Sequence, residues 1–166
     1  MAGYVIGKEL PGGFAGSVSR SRDAVIECFA AKGEGRIGFG DPVLLNEDGT
    51  VSAFSQTADA ANFAGIAVRE VKQAADDSGE AWYQESEPVD VLVCGSICVH
   101  VVSGTPVAGG AVYVRTGTGE EHEAGQIVAA ASETEGETLQ LPNAVFATSG
   151  VDAGGIAEIT LLHRMI

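Results

Sequence analysis

Glycine occupies 23 of the 166 positions, about twice its usual share of roughly 7%, and follows no collagen period. A residue that reaches positive φ without strain is needed wherever a chain turns sharply. This density therefore points to short strands joined by tight turns rather than to helices. The apolar pattern agrees. From Asp23 onward, Ala24, Ile26, Cys28 and Ala30 alternate with Val25, Glu27 and Phe29, the period of a strand. Its β-branched residues and the Gly33-Glu34-Gly35 that follows favour a strand over a helix. Two short apolar segments flank Asp48-Gly49, a hairpin signal. FAGIAVREV (63–71) reads as a strand, and PVDVLVCGSICVHVVSG (88–104) as one long strand or a bulged pair around Gly95. Beyond one turn that Thr57 would cap, no amphipathic helix is apparent. The expected fold is all-β, a sandwich or barrel of short antiparallel strands with Gly-rich turns. Its expected core is Ile26, Phe39, Val43, Ile66, Val68, Val91, Val93, Val99, Val112, Val114, Ile156 and Ile159.

Gly40 to Leu45 resembles Gly109 to Val114, and Phe63 to Ala67 resembles Phe146 with Gly155-Ile156-Ala157. The chain therefore divides into an extended N-terminal arm (1–22) and a β domain (23–166). Within that domain, two pseudo-repeated halves (23–72 and 89–166) are joined by an acidic loop.

The formal net charge is −14, from 9 basic and 23 acidic residues. Such a surface repels nucleic acid and anionic membrane, so neither is expected as a partner. The acid is unevenly placed. Residues 1–36 carry five basic and four acidic residues, while Glu70 to Asp90 and Glu120 to Glu137 are strongly acidic and read as solvated loops. The near-neutral, Gly-rich start reads as an arm for an acidic partner. Its candidate interface residues are the apolar anchors Tyr4, Ile6, Leu10 and Phe14, with Arg20 and Arg22.

Chemistry is sparse. Cys28, Cys94 and Cys98 are expected to be buried, unpaired thiols. The start of the chain lacks a basic, apolar leader, so synthesis in a cytoplasm is expected. Gly33-Glu34-Gly35-Arg36-Ile37-Gly38 fits G-x-G-x-x-G, but turn and strand follow it where a dinucleotide site needs a helix. His122 lies among Glu120, Glu121 and Glu123, four consecutive side chains that one strand cannot converge on an ion. No nucleophile, base and orienter assemble, so no enzyme activity, cofactor or metal is expected. The aromatic pair Trp82-Tyr83 leaves a ligand- or carbohydrate-binding β module as the alternative reading.

The order of elements resembles the structural cement, or head decoration, proteins of tailed bacteriophages. ELPGGFAGSVSRS precedes VIECFAAKGEGRIGFGDPVLL, similar to the family's strand ending in an Ile-x-Phe-Gly turn. FAGIAVREV, the block from WYQESEPVDVLVCGSICVHVVSG to GGAVYVRTGTG, and LPNAVFATSGVDAGGIAEITL follow in the family's order. One departure is Ile97-Cys98, where the family pattern leads one to expect an aromatic after the central glycine. The resemblance implies a non-enzymatic virion protein, made in the host bacterial cytoplasm. It would bind the major capsid protein on the outside of the head as a homotrimer and stabilise the head against internal DNA pressure.

Overall fold

A computed structural model describes residues 12–33, 35–55, 60–70, 81–118, 122–134 and 136–163. The chain forms β1 (Val18–Ala30), β2 (Ile37–Gly38), β3 (Pro42–Leu45), β4 (Val51–Ala53), β5 (Phe63–Ala67) and β6 (Trp82–Tyr83). These are followed by β7 (Pro88–Ser103), β8 (Ala111–Arg115), β9 (Ile127–Val128), β10 (Thr138–Phe146) and β11 (Ile156–Leu161). The only helical element among the described residues is a 3-10 turn at Ala60–Asn62. Thr57, its expected cap, lies outside the described residues. The all-β expectation holds, but not every strand is short: β1 has 13 residues and β7 has 16.

β7 organises everything else. Its second half pairs with β9 and β11, and the ladder continues from β9 through β8 and β10 back to β11. That is a closed five-stranded ring, with β7 and β9 parallel and its other pairs antiparallel. Its first half pairs with β1 on one edge and β5 on the other, and β5 continues to β3 and β4. An isolated bridge between Ala31 and Val51 brings β1 back to β4 and completes another ring, the first in chain order, the ring closed through β9 and β11 being the second. The two-residue β2 and β6 pair with each other and add Ile37 and Tyr83 to this ring's core.

The interior follows from the pleat. Successive side chains alternate faces, so Val89, Val91 and Val93 of β7 fill the first ring. Ile97, Val99 and Val101 fill the second. Between the two sets stands Gly95, at φ 119°, where a Cβ would lie 2.9 Å from the Ala24 backbone as β1 crosses. β5 is buried at every residue, because Ala64 and Ala67 face one core while Phe63 and Ile66 face the other. A sheet strand covered on both faces reads as continuous apolar sequence, which FAGIA does. Since both rings use β7, the halves 23–72 and 89–166 share a strand between them.

Nine of the twelve expected core residues are buried, and three need correction. Ile26 is 44% exposed, and Phe39 and Ile156 are half-buried. The β1–β7 register shifts between Val25 and Ile26. A bulge swaps the faces of the residues beyond it. Ala24 therefore packs on one core and Phe29 on the other, while Ile26, Cys28 and Ala30 point to solvent. The cysteines are corrected likewise: Cys28 is exposed, Cys94 half-buried and Cys98 buried.

Candidate functional site

The described part of the arm runs into β1, which begins at Val18, and a short set of backbone bonds fastens it at the junction of the two rings. Gly16 N donates to Cys98 O (2.8 Å), and Cys98 N donates to Ser17 O (2.9 Å). Arg69 N donates to Gly16 O (2.7 Å). Upstream, Gly12 N donates to Asp152 Oδ2 (2.7 Å), and the Cys98 thiol donates to Gly12 O (3.2 Å). Downstream, Ser19 Oγ and Arg20 Nε both donate to Glu158 Oε1, at 2.6 and 2.9 Å, and Arg20 Nη2 reaches Oε2 at 3.2 Å. Two carboxylates and one thiol from β7 and the β10–β11 region thus receive the arm.

Electrostatics suit those roles. Backbone N–H groups of Ile156, Gly12 and Gly154 hold the Asp152 carboxyl below the usual carboxylate range. Partial burial pushes Glu158 up, but bonds from Arg20 and Ser19 and the Arg20 charge outweigh it and leave it lowered. Burial pushes the Cys98 thiol up, and the charges of Glu158 and Asp152 add to that, so the sulfur stays protonated and able to donate.

Of the six expected interface residues, Tyr4, Ile6 and Leu10 lie outside the described residues. Phe14 is 68% exposed. The Arg69 guanidinium sits 5.1 Å from its ring centroid and 5.3 Å from that of Phe39. Phe39 in turn meets Tyr83 edge-on at 5.5 Å. The guanidinium covers part of two aromatic faces, a cation–π arrangement that fixes an otherwise solvent-facing ring in place. Arg22 is exposed. Arg20 is engaged within its own chain, by Glu158. Beside the stack a cleft of about 270 Å³ opens between Phe39–Asp41, His100 and Val102 of β7, and the loop from Glu123 to Ile127.

Glu158, Cys98 and Arg69 carry no local signal of this role in the sequence, and Asp152 carries a weak one. Glu158 lies 138 residues from Arg20, and Asp152 lies 140 from Gly12. That weak signal is the Asp152-Ala153-Gly154-Gly155 turn, a sequence in which a carboxylate can gather backbone donors.

Residues 3–162 match the family model described as "Structural cement protein (E217 gp24/Pam3 gp6)". The chain belongs to the phage structural cement family. Its role is therefore structural, at a bacteriophage capsid. The chain is also similar in fold to one in the solved structure described as "The capsid of Myoviridae Phage XM1". The TM-score is 0.73 at 21% identity, covering 100% of both chains. No curated protein matches the chain.

Arg36 lies 4.0 Å over the Trp82 ring and covers a face that a sugar would need. Tyr83 is buried and donates its hydroxyl to Val68 O at 2.7 Å, so the pair presents no open aromatic platform. Glu120 and Glu121 lie outside the described residues. His122 is half-buried beside exposed Glu123. Among the described residues no three His, Cys, Asp or Glu side chains gather as a metal site.

Proposed function

We propose that this cement protein binds the outer surface of the assembled phage head, on the major capsid protein, and stabilises the shell against the pressure of packaged DNA. Family membership across residues 3–162 carries the reading. A net charge of −14 supports an exterior position, because it keeps the particle soluble and repels DNA rather than binding it. The arm supplies the contact. Its root is fixed by Asp152, Glu158 and the Cys98 backbone, which presents Phe14 and Arg22 outward. Tyr4, Ile6 and Leu10 continue the same apolar series in the sequence and would contact a neighbour. Arg20 acts by bonding Glu158 and so setting the direction of the arm. The protein assembles as a homotrimer, with the acidic loops turned away from the axis, where like charge would repel. It is made in the host cytoplasm and uses no cofactor, nucleic acid or membrane.

Deleting residues 2–16 and measuring binding to purified heads tests the proposal. The deletion should abolish or strongly weaken decoration, and heads lacking the protein should release DNA at a lower temperature. Unchanged decoration by the truncated chain would show that the arm takes no part in it.

A further inference from the structure

At one end of the second ring the chain presents a tip without charge. Residues 91–114 and 138–151 are the two longest stretches of the sequence that lack Asp, Glu, Lys and Arg. The fold joins the turn between β7 and β8 (104–110) to the start of the turn between β10 and β11 (147–155). Gly150 N donates to Pro106 O at 2.8 Å, Gly109 N to Phe146 O at 2.7 Å and Ala108 N to Ser149 Oγ at 3.1 Å. Gly110 N donates to Val107 O at 2.7 Å. These donors are satisfied within the tip, so covering it strands none of them. Its apolar side chains nevertheless face water: Val107 is 63% exposed and Val151 44%. The acid that follows Val151 is already engaged. The Asp152 carboxylate accepts from the backbone N–H groups of Gly12, Gly154 and Ile156, at 2.7, 2.8 and 2.9 Å. The acidic stretch 120–137 follows the other end of β8 and precedes the other end of β10. The five residues of β8 span about 13 Å at about 3.3 Å per step. That exceeds the screening length of about 8 Å at physiological ionic strength.

We propose that this uncharged tip is the surface on which a second copy of the chain docks. The inference rests on the self-association proposed above and says which face makes it possible. In a closed symmetric assembly the same surface of every copy approaches the axis, so a charge there is repeated and repels itself. Copies with a net charge of −14 therefore meet at least cost where charge is locally absent. The tip is such a place, and β8 holds the acidic stretch away from it. Burial of Val107 and Val151 supplies the attraction. The arm points to the same occupant. Residues 1–11 lie outside the described structure, and the chain enters it at Gly12, bonded to the residue next to Val151. An arm that reaches a neighbour thus starts at the rim of the tip, and a copy seated there lies within its reach.

Sedimentation of the full chain without heads, over a range of salt, tests it. The wild type should self-associate, and more tightly as salt rises, because screening relieves the general repulsion and leaves the apolar contact intact. Val107→Asp should weaken association by about tenfold or more, since it repeats a charge around the axis. Its circular dichroism spectrum and melting temperature should not change. Val25→Asp is the control. Val25 is 45% exposed but lies on β1, opposite Cys94, so this variant should associate like the wild type. If Val107→Asp and Val151→Asp both associate as tightly as the wild type, the proposal fails, while self-association stands on another surface. If they associate normally but no longer decorate purified heads, the tip faces the capsid protein, and the proposal is overturned. Equal weakening by Val25→Asp overturns it too, because added charge anywhere would then suffice. A wild type that stays monomeric at every concentration removes the self-association reading itself, and this inference with it.

Discussion

The two rings share β7 but are closed differently. The second ring, formed by β7, β9, β8, β10 and β11, is joined by ladders all the way round. It surrounds Ile97, Val99, Val112, Leu141, Phe146 and Ile159. The first ring, formed by β1, β7, β5, β3 and β4, is completed at the isolated bridge Ala31–Val51, with Lys32 N donating to Val51 O beside it. Its core relies on smaller residues, Ala31, Ala64, Ala67 and five valines among them, with Tyr83 as the largest. A fully closed ring has no edge to lose, whereas a ring shut at one bridge can open locally. The candidate interface stands where the two meet. The arm root is bonded to β7 and to the turn before β11, while the Arg69 guanidinium lies over both the Phe14 ring and the Phe39 ring on the first-ring side.

The largest effect should come from Gly65, which lies in β5 between the two cores. A Cβ there would lie 2.2 Å from Leu92 O, a backbone atom that cannot step aside. Gly65→Ala should cost about 3 kcal/mol or more by urea unfolding. A cost under about 1 kcal/mol would mean that the rings separate easily, and that β5 is no rigid wall between them.

Equal truncations should then separate the rings. Val93→Ala in the first and Val112→Ala in the second should each cost about 1–3 kcal/mol, since both side chains are fully buried. They should differ in hydrogen exchange. Val93→Ala should speed exchange mainly in β3 and β4 through local opening, whereas Val112→Ala should speed it only through global unfolding. The same pattern in both variants would mean that the two closures are equivalent.

Much of the comparison was legible in the sequence. Alternation and turn glycines gave β3, β4, β5, β7 and β8, and the Asp48-Gly49 hairpin is present as read. β1 is legible too, but alternation alone points its inward face the wrong way. A bulge at Val25/Ile26 depends on how β1 crosses β7 at Gly95, which no local pattern encodes. The shared strand was hidden for a related reason: Val93 and Val99 lie on one parity of a single strand yet fill different cores. The receivers of the arm, Asp152 and Glu158, are ordinary acidic residues until the chain closes over well more than a hundred positions. Long-range pairing of this kind leaves no trace in periodicity.

The arm root should be acid-sensitive. Asp152 and Glu158 are both held below their unfolded values. The stability they contribute is fully present above about pH 4, the ordinary carboxylate range, and is lost as pH falls through their lowered folded values. Exchange of the Gly12 and Gly16 amides should therefore accelerate relative to core amides as pH drops below about 4. Glu158→Gln and Asp152→Asn should each flatten that dependence. If both variants keep the wild-type profile, the latch does not depend on these carboxylates.

Phe14 should give the smallest change in stability. Its ring is 68% exposed and its described ring contact is the Arg69 guanidinium at 5.1 Å, so little apolar area leaves the core when it is cut back. Phe14→Ala should shift the unfolding free energy by about 0.5 kcal/mol or less. The mutant also leaves Arg69 stacked on Phe39, and every backbone bond at Gly16 and Ser17 remains available. The fold therefore has no reason to keep an aromatic ring at this place. The proposed head binding would give it one, because an exposed ring held in a fixed direction loses little entropy on docking and buries its face against the partner. Phe14→Ala should accordingly lower decoration of purified heads while the melting temperature stays within about one degree of the wild type. A variant that decorates normally would move the contact off the arm root and onto another part of the surface. One that melts much earlier would make Phe14 a core residue of the first ring, and the contrast between a docked arm and a closed scaffold would have to be redrawn.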